Sequence, residues 1–586
     1  MRFVLHEYLD LPGEAARLGL TDATADLVDA VLEEGAKLAE EVLQPVNLSG
    51  DREGCRLENG VVTTPEGFKA AYKTYSEGGW GGLSADPAFG GQGLPRTLAT
   101  AFGEMSSSAN MAFAMYPGLT RGAVAALSLH GTDEQKKLFL PKLLSGVWSG
   151  TMNLTEPHAG TDLGLIKTRA EPKDDGTYAI IGTKIFISAG EHDLAENIVH
   201  LVLARIKGSP EGTKGISLFV VPKFLVKPDG TLGPRNGVSC GAIEHKMGIH
   251  GNATCVLNYD GAIGTLVGEA DKGLRAMFTM MNEARMGVAL QGLAQGEVAY
   301  QNAVQYAKDR VQGRALSGPK AKDKPADPII YLPDVRRMLM NARALTEGGR
   351  ALLYRTALRG DAAAASKDAG EREKAEDALG LLTPVLKAYL TDMGFQTAVE
   401  CQQIFGGHGY IAENGMDQFV RDARIAMIYE GANGIQALDL IGRKLPAHGG
   451  RAIFAAFAEI DAVLKETSGN AALKPWTDGL AVARKDLEEA TQWLLANGLA
   501  NPENAGAVSN DYLYLFALTM LAATWAGLVL IAQGKLAKGT GDKAFYENKI
   551  KTGRYFLTNI LPATALHLAR LKAGAEAMMA ISPEEF

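Results

Sequence analysis

"TYAIIGTKIFIS", residues 177–188, decides how the chain is built. β-Branched and aromatic side chains dominate it and turn residues bound it, so it reads as a strand. "NIVHLVLARI" (197–206) and "GISLFVVPK" (215–223) have the same character, and "ATCVLNYDGAIG" (253–264) continues it. Residues 147–270 are therefore expected to form a mostly antiparallel β-domain.

Outward from that segment the period changes. Leu27, Val28, Val31, Leu32, Leu38, Val42 and Leu43 recur at helical spacing, and "TDEQKKLFLPKLL" opens with Thr132 and Gln135 at capping-box spacing. Residues 1–146 thus read as a helical domain, interrupted by the Gly- and Pro-rich loop "GGLSADPAFGGQGLP" (81–95). Helical periodicity returns over 271–446. Its polar interruptions are the loop "GRALSGPKAKDKPADP" (313–328) and "RGDAAAASKDAGEREKAED" (359–377), a charged helical extension or surface insertion. A last helical block, 447–586, has Trp476, Trp493 and Trp525 as core anchors. A β-domain set inside a helical protein suits a flat cofactor held between sheet and helices.

At 586 residues the chain is too long for one ordinary core. Its 46% hydrophobic and 22% charged content belongs to a soluble globular protein, and a net charge of −8 disfavours nucleic acid as a partner. The four cysteines form no CxxC pair, which argues against a metal site and a disulfide framework and fits the cytoplasm. The opening "MRFVLHEYLDLPGEAARL" has no apolar core of a signal peptide. The uncharged run 512–532 is long enough to span a bilayer. Its Ala, Gly and Thr content and the internal Trp525 favour a buried helix over a membrane span.

Four stretches carry candidate chemistry. "TMNLTEPHAGTDLGLIKTRA" (151–170) offers the hydroxyls of Thr155 and Thr161 and the bare backbone of Gly160. It suits a flavin edge, a phosphate, or a capped turn between strands. In "KIFISAG" (184–190), Phe186 and Ser188 lie two apart on one strand face, as a ring cover and its hydrogen-bonding neighbour would, or as an ordinary half-buried strand has them. "MNEARMGVALQGLAQGEVAYQNAVQYAKDRVQGR" (281–314) brings Arg285 and Arg310, suited to phosphate or to surface ion pairs. In "QIFGGHGYIAENGMDQFVRDARIAMIYEGANGIQ" (403–436), Gly406-Gly407 ends a helix. Glu430 stands where an apolar run opens into Gly431-Ala432-Asn433-Gly434, either a helix-end carboxylate or a base with its neighbours pared back.

In order along the chain, "TEPHAGTD", "KIFIS", "MNEAR", "AKDRV", "QIFGGHGY" and "RDARIAMIYEGANGIQ" resemble the acyl-CoA dehydrogenase family over about residues 30–445. The extra length, the 313–328 loop and the C-terminal block resemble its long bacterial branch. The resemblance implies a mainly α fold with a central antiparallel, barrel-like β-domain, an α-bundle, and an extra C-terminal α-domain. It implies FAD as cofactor and α,β-dehydrogenation of an acyl-CoA thioester to a trans-2-enoyl-CoA. Glu430 would remove the α-proton, the β-hydride would pass to flavin N5, and the Glu430 main-chain N–H would bind the thioester oxygen. A carboxylate held out of water is the stronger base, and enolate charge must be stabilised where it develops.

By the same matching, Met152, Leu154, Thr155, Gly160 and Thr161 would line the flavin and its pyrophosphate. Phe186, Ile187 and Ser188 would cover the ring. Arg310 with Gln403, Gly406 and Gly407 would reach the FAD of a neighbouring subunit, implying a homodimer or homotetramer. Ala432 and Asn433 would also meet flavin; Thr161, Asn282 and Arg285 would meet substrate. Phe186 stands where many members have Trp, and Gly434 where others carry Gln or Glu. Some relatives place the base at the position of Ala284, which here has no acid, leaving Glu430.

Electron-transfer flavoprotein would take the electrons. Branch resemblance points to a short or sulfur-containing acyl group such as 3-methylmercaptopropionyl, with medium- or long-chain fatty acyl-CoA as the alternative. The rivals are an acyl-CoA oxidase, a non-catalytic DNA-associated relative and a membrane-attached dehydrogenase.

Overall fold

The structure is a computed structural model that describes residues 1–498 and 500–586. The chain forms two compact units, one of residues 30–287 and one of residues 1–29 with 288–586.

In the first unit the principal helices are α1 (Arg96–Ala109), α2 (Met111–His130) and α3 (Asp133–Leu144). α3 begins where expected. Thr132 Oγ1 accepts from the Gln135 N–H at 3.2 Å, and Gln135 Oε1 accepts from the Thr132 N–H at 3.0 Å. The central sheet comprises β1 (Trp148–Asn153), β2 (Arg169–Pro172), β3 (Tyr178–Ser188), β4 (Asn197–Ile206), β5 (Ile216–Pro222), β6 (Val238–Ile243) and β7 (Thr254–Val267). β7, β3, β2, β4 and β5 pair in a ring that closes β5 back onto β7; β6 and β1 flank it. The barrel-like closure matches expectation. The pairing is mixed, however: β4 runs parallel to both β1 and β2.

Strand periodicity explains the composition of the runs. Along β4, Val199, Leu201 and Leu203 enter the core shared with the helices, while Val202 and Ala204 enter a second core with Phe219 and Leu257. β5 divides its residues the same way: Leu218 and Val220 face one core, Phe219 and Val221 the other. Strands buried on both faces read as continuous apolar runs.

In the second unit, the helices after α4 (Gly273–Asp309) are α5 (Pro333–Ala365), α6 (Ala369–Ile404), α7 (Met416–Ala426), α8 (Asn433–Asp439), α9 (Arg451–Ser468), α10 (Lys474–Trp493), α11 (Pro502–Lys538), α12 (Lys543–Tyr555) and α13 (Ala563–Lys572). The 359–377 stretch is the helical tip between α5 and α6, with Asp368 Oδ1 capping α6 at the Glu371 N–H, 2.7 Å. The 313–328 loop wraps the buried Asp327 carboxylate, which accepts from the N–H groups of Ala315, Lys320 and Ala321 at 2.7–2.9 Å.

α11 holds the apolar run. It is long and apolar enough to cross a membrane, yet 83% of its most apolar window is buried inside the fold. It packs against α5, α6, α8, α9, α10, α12 and α13. Trp525 is buried and its Nε1 donates to Ala344 O at 3.2 Å; Trp476 is also buried, whereas Trp493 is only half-buried.

Candidate active site

Glu430 lies in the turn between α7 and α8 with φ +57°, and Gly431 follows with φ +85°. A left-handed conformation costs a non-glycine residue roughly 1–2 kcal/mol, so the surroundings must hold it there. They do so through carbonyls. Gln436 Nε2 donates to the carbonyl oxygens of Glu430 and Gly431, both at 3.1 Å. The buried Lys387 of α6 donates to Gly431 O at 2.9 Å and to Asn433 Oδ1 at 2.8 Å. Asn433 Nδ2 in turn donates to Asp392 Oδ1 at 2.7 Å, Thr391 Oγ1 at 3.0 Å and Ala388 O at 3.2 Å.

The Glu430 side chain is half-exposed, and Ala432 and Gly434 are exposed, so the turn is open on its small-residue side. Behind it the Tyr429 hydroxyl donates to Gln291 Oε1. Burial, reinforced by the neighbouring Glu430 charge, raises the Tyr429 phenol well above its ordinary range. Asp392 is likewise raised, by burial, against the donors of Tyr514 and Asn433. Asn433, expected to meet flavin, has its side-chain amide inside the turn, where it bridges the buried Lys387 and the Asp392 carboxylate.

The same unit gathers Arg310, Gln403, Gly406 and Gly407. Tyr306, one turn before Arg310, stacks on Phe405 at 4.1 Å between centroids, and its hydroxyl meets His408 Nδ1 at 3.0 Å. All four predicted residues are exposed around this pair, with Gly406 at φ +57°.

In the other unit, the 154–168 loop hangs on a buried ion pair. Glu156 accepts from Lys184 Nζ at 2.8 Å and from the N–H groups of Lys167 and Thr168 at 2.7 and 3.0 Å. Lys184 also donates to Leu154 O at 2.8 Å, and the Ile185 N–H donates to Thr155 O at 2.9 Å. Burial pushes Lys184 down to about 8, against the pull of Glu156. For Glu156, burial alone would raise the carboxyl, but Lys184 and the N–H donors outweigh it and set it below the usual range.

The Thr155 and β3 segments are thus adjacent. β3 bulges there: Lys184 faces Leu257 and Ile187 faces Cys255, leaving two residues opposite one. Phe186 sits in the bulge at φ +59° and is 60% exposed, so the expected two-residue alternation with Ser188 is interrupted. Thr161 and Gly160 are exposed, while Thr155, Ser188 and Met152 are half-buried. An exposed aromatic on strained backbone, with hydroxyls on the adjacent segment, fits a flat polar-edged ring such as flavin. Leu154 and Ile187 are core residues, 8% and 2% exposed, so only their backbone is available to a ligand. On α4, Asn282 is exposed, but Arg285 is 4% exposed rather than on the surface.

Sequence reading missed Lys387, Asp392, Gln436, Glu156 and Lys184. A signal existed for three of them: Lys387 and Asp392 interrupt the apolar helical run "LLTPVLKAYLTDMGF", and Lys184 interrupts the strand "GTKIFIS".

Comparison with known proteins places this geometry. Residues 29–147, 151–262 and 271–445 match the N-terminal, middle and C-terminal domains of acyl-CoA dehydrogenase, and 456–582 match an "acetyl-CoA dehydrogenase C-terminal like" domain. The chain belongs to the acyl-CoA dehydrogenase family and is a flavin-dependent oxidoreductase. It is 44% identical over 584 residues to the 3-methylmercaptopropionyl-CoA dehydrogenase of Ruegeria pomeroyi, covering 99% of this chain and 98% of that one. A butyryl-CoA dehydrogenase of Syntrophomonas wolfei is 34% identical, with 100% and 98% covered. The crystal structure of a Bacillus anthracis acyl-CoA dehydrogenase complexed with FAD superimposes with TM-score 0.75 at 22% identity, covering 94% and 88%.

Proposed function

We propose that this enzyme dehydrogenates 3-methylmercaptopropionyl-CoA to its 2-enoyl-CoA, with Glu430 as the base. The observation that carries the chemistry is the clamped left-handed turn: a carboxylate on strained backbone, held from below by Gln436 and Lys387 and open on its Ala432–Gly434 side. Strain of this kind persists where the surroundings over-determine it, as they do at reaction sites. The substrate choice is supported by the 44% identity to a dehydrogenase of that thioester over almost the whole of both chains.

In this reading the Glu430 carboxylate takes the proton from the carbon next to the thioester. The small residues after it leave room for the acyl chain. Thr155, Thr161, Phe186 and Ser188 hold FAD, with backbone groups of Leu154 and Ile187. When bound, FAD supplies the acceptor for the β-hydrogen and its electron pair. Arg310, Gln403, Gly406 and Gly407, all exposed, serve a neighbouring subunit of a homodimer or homotetramer. Electron-transfer flavoprotein is the proposed electron acceptor, and the cytoplasm the proposed location.

The test is anaerobic flavin bleaching with 3-methylmercaptopropionyl-, butyryl-, octanoyl- and palmitoyl-CoA, with Glu430→Gln in parallel. Strongest bleaching by the sulfur-containing thioester, abolished in the variant, is expected. Preference for butyryl-CoA overturns the substrate assignment, and bleaching that survives in Glu430→Gln overturns the base.

A further inference from the structure

Beyond the packing of α11 on α8, a side chain of the C-terminal block joins the hydrogen bonds that hold the Glu430 turn. Tyr514 of α11 donates its hydroxyl to Asp392 Oδ2 at 2.5 Å, and the other oxygen of that carboxylate accepts from Asn433 Nδ2 at 2.7 Å. Asn433 passes the contact to Lys387, and Lys387 to Gly431 O, the carbonyl one residue beyond Glu430. Five groups therefore form one line from the added helical block to the strained backbone. Tyr514 is itself fixed. Its ring meets Tyr389 edge-on at 5.4 Å and lies 5.3 Å from the His567 ring of α13, whose Nδ1 is 2.8 Å from Asp511 Oδ1.

We propose that Tyr514 is a positioning residue for the reaction, and that the C-terminal block serves to lock the Glu430 turn through Asp392, Asn433 and Lys387. The proposal rests on Glu430 being the base. Asp392 must accept at both oxygens, so its carboxylate orientation is defined only when both donors are present. Without the Tyr514 hydroxyl the carboxylate keeps only its Asn433 donor, and its looser orientation is passed through Asn433, still bound to Thr391 and Ala388 O, to Lys387 and Gly431 O. The Glu430 φ then relaxes away from +57°, and carboxylate and main-chain N–H move together relative to substrate. Displacements of about 1 Å in such a group can cost on the order of a hundredfold in rate.

The test uses the FAD-loaded enzyme with 3-methylmercaptopropionyl-CoA and, in parallel, butyryl-CoA. Tyr514→Phe removes only the hydroxyl. Asp392→Asn, which keeps the shape but offers one acceptor for two donors, repeats the test independently. Tyr512→Phe is the control: it lies on the same helix, but its hydroxyl meets Thr491 at 2.9 Å instead of the turn. Tyr514→Phe and Asp392→Asn are expected to lower kcat about tenfold or more with KM within about twofold. They should shift the acid limb of the kcat/KM profile and speed amide exchange across residues 428–436. The double variant should be no worse than Asp392→Asn, because the two act in one line. Tyr512→Phe should match wild type. Wild-type kcat, pH profile and exchange in Tyr514→Phe, while Glu430→Gln is inactive, overturn the positioning role alone. Full activity in Glu430→Gln overturns the base and the proposal together.

Discussion

Lys387 Nζ sits 2.9 Å from the carbonyl oxygen of Gly431 and 2.8 Å from Asn433 Oδ1, so a buried ammonium on α6 holds the two residues that flank Ala432. Lys387→Met keeps the length and apolar stem but removes the donors. Hydrogen bonds from a charged donor contribute about 1.5–3 kcal/mol. The variant is expected to melt at lower temperature and to lose kcat by more than KM changes. Unaltered kcat in a stably folded Lys387→Met would show that the turn holds itself.

Glu430→Gln preserves the size of the side chain and removes its basicity. General-base loss typically costs about 10²–10⁴ in rate. The expected outcome is kcat reduced by that order with FAD content and thermal midpoint unchanged, checked by flavin absorbance and calorimetry. A variant that lost FAD as well would place Glu430 in cofactor retention instead.

Gly431→Ala tests the backbone directly. At φ +85° a Cβ introduces left-handed strain of roughly 1–2 kcal/mol beside a residue that already carries it. Chemical denaturation should show a loss of that size, and kcat should fall with it as the turn opens. An alanine variant as stable as wild type would mean that the turn relaxes freely.

These residues explain what the sequence could and could not show. The Glu430 turn was legible because its signal is local: a carboxylate followed by small residues. The two-faced strands were legible because a run buried on both sides is continuous in sequence. The clamp was not legible, because its members are remote along the chain; Asn433 is 41 residues from Asp392, which is 122 from Tyr514. The parallel pairing of β1 with β4 was hidden for the same reason, since composition reports burial and not a strand's neighbour. The bulge at Phe186 broke a two-residue alternation that the sequence carries without visible interruption. Arg285 reads as an ordinary surface cation because only packing buries it.

Lys184 and Glu156 are 0% and 2% exposed, and together they tether the 154–168 loop to β3. Removing one partner of a buried ion pair typically costs about 3–5 kcal/mol, because the other charge is stranded. Lys184→Met is therefore expected to destabilise the barrel by that order and to purify with reduced FAD. Replacing both residues, Lys184→Met with Glu156→Leu, should recover part of the stability but not the FAD content, since the loop N–H groups of Lys167 and Thr168 lose their acceptor. Full FAD content in the double variant would show that the loop needs no tether.

The same pair sets a pH dependence with a definite sign. In the fold Glu156 ionises below the ordinary 4.5, so between its folded value and 4.5 the unfolded chain binds the extra proton. Stability then rises with pH in that window. The contribution is fully present above about pH 4.5–5 and is lost as pH falls through the folded value. Glu156→Gln cannot titrate and lacks the contribution at every pH. Thermal midpoints measured from pH 7 downward should therefore show the variant well below wild type at neutrality. Below about pH 5 the gap should close as the wild-type carboxylate protonates. A gap that persisted unchanged to pH 3 would mean that the Glu156 charge contributes nothing beyond its hydrogen bonds.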